Sequence, residues 1–194
     1  MLFNRIIAKI NRIRAERTYR NQIIKSGGRV GKETRLTVEG EFVLGKGLII
    51  NSEGIDSSLG SHIVVRSGAK LVIGDNTGMS QVAINCREQI IIGSNVTIGA
   101  GVLIIDSNFH SIDWETRRDW QTDKQNTKNA PVYIEDDVFI GTRTIVNKGV
   151  KIGARSIIAA GSVVVSDIPC DCIAGGNPCK VIKSLLIEKN ENKE

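Results

Sequence analysis

Six consecutive hexads, IEDDVF, IGTRTI, VNKGVK, IGARSI, IAAGSV and VVSDIP, begin at Ile134 and leave this chain few folds to choose from. Their first positions are Ile134, Ile140, Val146, Ile152, Ile158 and Val164, all branched aliphatic. Their fifth positions are Val138, Thr144, Val150, Ser156, Ser162 and Ile168, all small or β-branched. A period of six matches neither the 3.6 residues of a helix nor the alternation of a flat strand, so it requires a chain that turns a corner every six residues. Three corners close a triangle. Stacked triangles form a parallel β-helix, an all-β solenoid whose first positions fill the interior of a prism.

Composition agrees. Aromatic residues make up 4% of the 194 while glycine numbers 20, so the core must be packed by Ile, Val and Leu around tight corners. With 41% hydrophobic and 24% charged residues, the chain reads as one soluble domain with an appendage. Four cysteines, Cys86, Cys170, Cys172 and Cys179, lack the paired spacing of zinc sites. No secretory leader is read, so reduced thiols packed in a cytoplasmic protein are the expectation.

The net charge of +5 is unevenly distributed. Residues 1 to 26 carry Arg5, Lys9, Arg12, Arg14, Arg17, Arg20 and Lys25 against Glu16 alone, a sum of +6, leaving −1 elsewhere. This basic arm places Leu2, Phe3, Ile6, Ile7, Ile10 and Ile13 at helical spacing and is expected to form an amphipathic helix. Its apolar stripe would pack on the β-helix or on a neighbouring subunit. Peripheral contact with an anionic membrane, on the inner surface of the cell, is the alternative. Nucleic acid is not expected as a partner, because no recognition motif accompanies the charge.

The β-helix is expected over 27–169, with an excursion at 107–131 and a C-terminal unit at 170–194. A rougher upstream set of hexads has first positions Val43, Ile49, Ile55, Ser61, Ser67 and Ile73, and the phase slips near Asn85 to Glu88 before recovering at Ile92, Ile98 and Ile104. The excursion interrupts the repeat with a charged segment holding Trp114 and Trp120. Because the same prism resumes at Ile134, the excursion must leave a corner and return to it, where it could cover a neighbour's cleft. Beyond the turn at Gly175, Gly176 and Pro178, VIKSLLIEK reads as a short capping helix.

Three segments, IIIGSNVTIGAGVLIIDSNFHSID, VYIEDDVFIGTRTIVNKGVKIGARSIIAAGSVVVSDIP and AGGNPCKVIK, together resemble the hexapeptide-repeat acyltransferases. They are most similar to the maltose and galactoside O-acetyltransferases and to the acyltransferases of surface polysaccharides. The resemblance implies a left-handed β-helix, a homotrimer with clefts between prisms, acetyl-CoA as donor, a carbohydrate hydroxyl as acceptor and no metal. It implies that His110 is the general base, accepting the proton of the attacking hydroxyl. Asp106 is taken as the residue that orients it, with Asp113 the other flanking carboxylate.

The same resemblance assigns acetyl-CoA to Gly141, Thr142, Ala159, Ala160, Ser166, Lys180 and Lys183. Small corners let the pantetheine arm approach the backbone, and the lysines suit phosphates. Val165 and Ser166 stand where relatives often carry Thr and Lys, so one phosphate contact is missing. Lysines at the end lack the bidentate fork of arginine. Ser80 and Asn85 are the candidates for holding the acceptor, although Asn85 could equally serve the turn at the phase slip. An amine acceptor remains open, as does a non-catalytic scaffold. A zinc-dependent γ-type carbonic anhydrase is disfavoured, since the chain has only His62 and His110.

Overall fold

The computed structural model describes residues 2–55 and 60–186, and within the first helix it leaves the side chains of residues 2–9, 11 and 12 undescribed. Among the described residues, nineteen strands stack into three sheets, one per side of a prism. Face one holds Arg29–Val30, Ile49–Asn51, Gly78–Ser80, Thr97–Ile98, Phe139–Ile140, Ile157–Ile158, Cys172–Gly175 and Lys180–Ser184. Face two holds Arg35–Val38, His62–Val65, Ala83–Cys86, Leu103–Ile105, Ile145–Val146 and Val163–Val164. Face three holds Glu41–Leu44, Lys70–Ile73, Gln89–Ile92, Val132–Ile134 and Lys151–Ile152. Successive coils pair in parallel register, as in Leu71 beside Ile90 beside Val132.

All twelve first and fifth positions of the six C-terminal hexads are buried, none more than 3% exposed. Each buried aliphatic contributes about 1.5–3 kcal/mol relative to exposure, so this column of side chains is the main stabilising term. The inward hydroxyls are satisfied at the corners. Thr144 and Ser162 donate to the Ala159 carbonyl at 3.3 and 2.5 Å, and Ser156 donates to the Gly153 carbonyl at 2.5 Å.

The upstream hexads follow a different phase. Val43, Ile49 and Ile55 are 41%, 36% and 48% exposed, whereas Phe42, Leu48 and Ile50 are buried. Ser67 is exposed too, while Ser61 and Ile73 do point inward. Strands there are up to four residues long and bury from one to three residues, Leu36 alone in Arg35–Val38 but both Leu71 and Ile73 in Lys70–Ile73. Extra residues between Asn51 and Ser61 then reset the count, so one six-residue frame cannot run through both.

Both prism ends are covered. Helix α1, Leu2–Lys25, closes the first: Ile23 is fully buried, and the rings of Tyr19 and Phe42 lie 5.4 Å apart. Of the apolar stripe expected to pack there or on a neighbouring subunit, Ile10 and Ile13 are 43% and 55% exposed within this chain, and the side chains of Leu2, Phe3, Ile6 and Ile7 lie outside the described residues. At the other end the expected capping helix is a strand. Gly176 has φ +101° and reverses the chain, so Lys180–Ser184 returns antiparallel to Cys172–Gly175 and satisfies that edge by backbone pairing. Pairing to an open edge, with β-branched Val181 and Ile182, outweighs a marginal helical preference. Residues 187–194 of the expected helix and tail lie outside the described residues.

Candidate active site

The excursion leaves at the corner between faces two and three, and its base is zipped by backbone hydrogen bonds. Ala130 N donates to Asp106 O at 2.9 Å and Asn108 N donates to Lys128 O at 3.0 Å. The segment is folded within itself. A 3₁₀ turn spans Thr116–Arg118, and helix α2 spans Trp120–Gln125, capped by Asp119, whose carboxylate accepts from Thr122 N at 3.0 Å. Arg117 ties the turn back by donating to the Ser111 carbonyl at 2.8 Å.

His110 stands at the start of this unit. Phe109 before it has φ +62°, a left-handed conformation that is costly for an aromatic residue. Phe109 N donates to Ser107 Oγ at 3.0 Å, and the Arg87 guanidinium lies 4.9 Å from the ring centroid, so the strained turn is held from two sides.

The carboxylate paired with His110 is Asp123, on α2. His110 Nδ1 lies 2.6 Å from Asp123 Oδ2, and Asp123 Oδ1 accepts from Ser111 N at 2.6 Å. Donation from the Ser111 amide, and then from His110, holds the Asp123 carboxyl below its ordinary pKa. An ionised carboxylate can only accept, so the proton of the neutral imidazole sits on Nδ1, leaving the Nε2 lone pair free. The Asp123 side chain is 12% exposed and that of His110 is 67% exposed: the carboxylate is covered and the imidazole is open to solvent.

Asp106 has another task. It is fully buried and its carboxylate accepts from Arg87 N at 2.8 and 3.0 Å and from Glu88 N at 2.8 Å. It locks the corner where the repeat slips, one coil below the excursion. Asp113 serves the loop, accepting from Glu115 N at 3.0 Å. Nothing in the local sequence marks Asp123, which lies thirteen residues from His110 on a helix that periodicity does not reveal.

Asn85 is half-buried on face two, in register with Ile105 just before the excursion departs, and its Oδ1 is buried without a hydrogen-bond partner. Ser80 lies on face one and accepts from Asn51 Nδ2 at 3.3 Å. Gly141, Thr142, Ala159 and Ala160 form one column at the corner between faces one and two. A Cβ on Gly141 would come 2.4 Å from Ala160 N, so coil stacking alone demands glycine there. Ser166 is exposed at the corner between faces two and three, away from that column, and Lys180 and Lys183 are exposed on the final strand. Within one chain, the histidine corner and the small-residue corner are separated by the width of face two.

His62 is exposed on face two, its pKa lowered by burial and then by Arg35 and Arg66. Among the described residues no three His, Cys, Asp or Glu side chains are grouped to hold a metal.

Comparison with known proteins agrees with this architecture. Residues 131–166 match the family described as bacterial transferase hexapeptide (six repeats), and residues 85–105 match the hexapeptide repeat of succinyl-transferase. Galactoside O-acetyltransferase of Escherichia coli is 35% identical over 96 residues, 50% of this chain and 44% of that protein. The 2,3,4,5-tetrahydropyridine-2,6-dicarboxylate N-acetyltransferase of Clostridium perfringens is 50% identical over 64 residues, 33% of this chain and 27% of that protein. A hexapeptide-repeat acetyltransferase of Vibrio cholerae, solved with acetyl coenzyme A, is 40% identical with a TM-score of 0.54, covering 59% of this chain and 60% of that one. The chain spans from 27% to 58% of the length of such curated relatives. It is a left-handed hexapeptide-repeat β-helix similar to the galactoside and maltose O-acetyltransferases.

Proposed function

We propose that this protein is an acetyl-CoA-dependent O-acetyltransferase acting on a hydroxyl of a sugar, nucleotide sugar or surface-polysaccharide unit. The observation that carries the reading is the His110–Asp123 pair, at 2.6 Å, with its imidazole open to solvent at the root of a folded excursion. Nε2 accepts the hydroxyl proton as the oxygen attacks the thioester carbonyl, and the imidazolium returns that proton to the departing CoA sulfur. Asp123 fixes the ring and stabilises its transient positive charge; Asn85 and Ser80, both part-exposed, are the candidate acceptor contacts. No covalent enzyme intermediate is required.

The donor would lie along the small corner column of an adjoining prism, with its phosphates near Lys180 and Lys183. This arrangement needs a homotrimer, because one chain separates the two halves of the site. Cytoplasmic chemistry, supplied by the cellular acetyl-CoA pool, belongs to the same reading. Amine acetylation is the second reading, favoured by the 50% identity to an N-acetyltransferase over 64 residues.

Thiol release from acetyl-CoA, screened over sugars, nucleotide sugars and amino sugars, tests both readings. An alcohol acceptor whose turnover falls at least about 100-fold in His110→Ala, with acetyl-CoA affinity nearly intact, is the expected result. Substantial residual turnover in that variant overturns the base assignment, and an acceptor set confined to amines selects the second reading.

A further inference from the structure

Helix α1 presents two distinct faces. Glu16, Tyr19, Arg20 and Ile23 share the face turned to the prism: Ile23 is buried, Tyr19 packs on Phe42, and Arg20 donates to the carbonyls of Gly31, Lys32 and Thr34. Ile10, Ile13 and Ile24 lie on another face, rotated by about 100° at 3.6 residues per turn, and are 43%, 55% and 59% exposed. Fold stability accounts for the first face and leaves the second unexplained. Ile10 and Ile13, one turn apart, form an exposed apolar pair beside Arg14 and Arg17, with Ile24 about three turns further along the same face.

Charge narrows what can cover the stripe. Glu16 is the only acidic residue in the arm and already accepts from Arg20 Nε at 3.2 Å. The other six basic residues, Arg5, Lys9, Arg12, Arg14, Arg17 and Lys25, have no acidic residue in the arm to answer them. Packing this stripe against its copy in a second chain would bring those like charges together without compensation. No described helix is long and apolar enough to cross a bilayer. A helix of low overall hydrophobicity, whose exposed isoleucines are interspersed with Arg14 and Arg17, instead suits the plane between headgroups and acyl chains.

We infer that α1 docks the protein on an anionic lipid surface: Ile10, Ile13 and Ile24 enter the boundary of the acyl region while the arm's Arg and Lys side chains meet acidic headgroups. The prism-facing side of α1 stays attached throughout, so the β-helix is held against the bilayer with its first coil nearest the lipid. This inference does not depend on acetyl transfer.

Co-sedimentation of the full chain with phosphatidylcholine vesicles and with mixed phosphatidylcholine–phosphatidylglycerol vesicles tests it. Binding is expected to the mixed vesicles only and to weaken with added salt. The variants Ile10→Ser/Ile13→Ser and Arg14→Glu/Arg17→Glu should each lower partition about tenfold or more while keeping the melting temperature and oligomeric mass of the parent. Failure of the parent to bind mixed vesicles, or unchanged binding in both variants, overturns the inference. So does a fall in oligomeric mass in either variant, because the stripe would then be a contact between copies.

Discussion

Replacing Asp106 with alanine separates stability from catalysis. The fully buried carboxylate accepts from two backbone amides, Arg87 N and Glu88 N, at 2.8 to 3.0 Å. Hydrogen bonds to a charged acceptor contribute about 1.5–3 kcal/mol each, and part-exposed amides regain some of that from water, giving a net loss of about 2–4 kcal/mol. For a domain of this size about 1 kcal/mol moves the melting temperature by 2–4 °C, so a fall of roughly 4–16 °C is expected. Differential scanning fluorimetry, paired with turnover measured well below the transition, reads both quantities. Turnover per folded molecule should stay within about threefold of the parent, because the carboxylate bonded to the imidazole is Asp123. A melting temperature unchanged within error, or turnover lost in a folded variant, would refute the assignment of Asp106 to the corner.

Asp123→Asn should show the opposite pattern, lowering kcat about 10- to 100-fold with little change in melting temperature or in KM for acetyl-CoA, measured by steady-state kinetics. Because Asp123 is held below its ordinary pKa, its support of the excursion is complete above about pH 4 and disappears only as pH falls through that lowered value. Ser111 amide exchange should therefore remain protected at about pH 4 and accelerate below it. For the thiols, burial and then the Asp106 charge push Cys86 up to about 12, and burial raises Cys172 and Cys179, while Cys170 is exposed. Titration of the native protein with a disulfide reagent near neutral pH should show one fast thiol, abolished by Cys170→Ser; several fast thiols would contradict the packed interior.

The six C-terminal hexads were legible because every coil there has the same length, so spacing alone identifies Ile134 through Ile168 as interior. Upstream, Val43 and Ile49 mislead for the same reason in reverse: each strand sets an exposed aliphatic next to the buried one, Val43 beside Phe42 and Ile49 beside Ile50, and the spacing between Asn51 and Ser61 departs from six. His110 could be found by its motif, since it sits next to the repeat. Asp123 could not, because it joins His110 only after the excursion folds, and a six-residue helix carries too short a pattern to read. Asp106 was the natural candidate by proximity, but a carboxylate inside a corner answers backbone amides first. The final strand was hidden by the turn at Gly176, which converts VIKS from a free segment into the partner of an open edge.

The central claim is that each cleft joins the histidine corner of one chain to the small-residue corner of another. Mixed trimers test it directly. His110→Ala and Ala160→Trp, each inactive alone, are co-refolded in equal amounts and assayed for acetyl transfer. Random assembly of shared clefts gives one intact pairing in four, so recovery to about a quarter of parental activity is expected. Mixtures as inactive as their components, despite confirmed exchange of subunits, would contradict the claim.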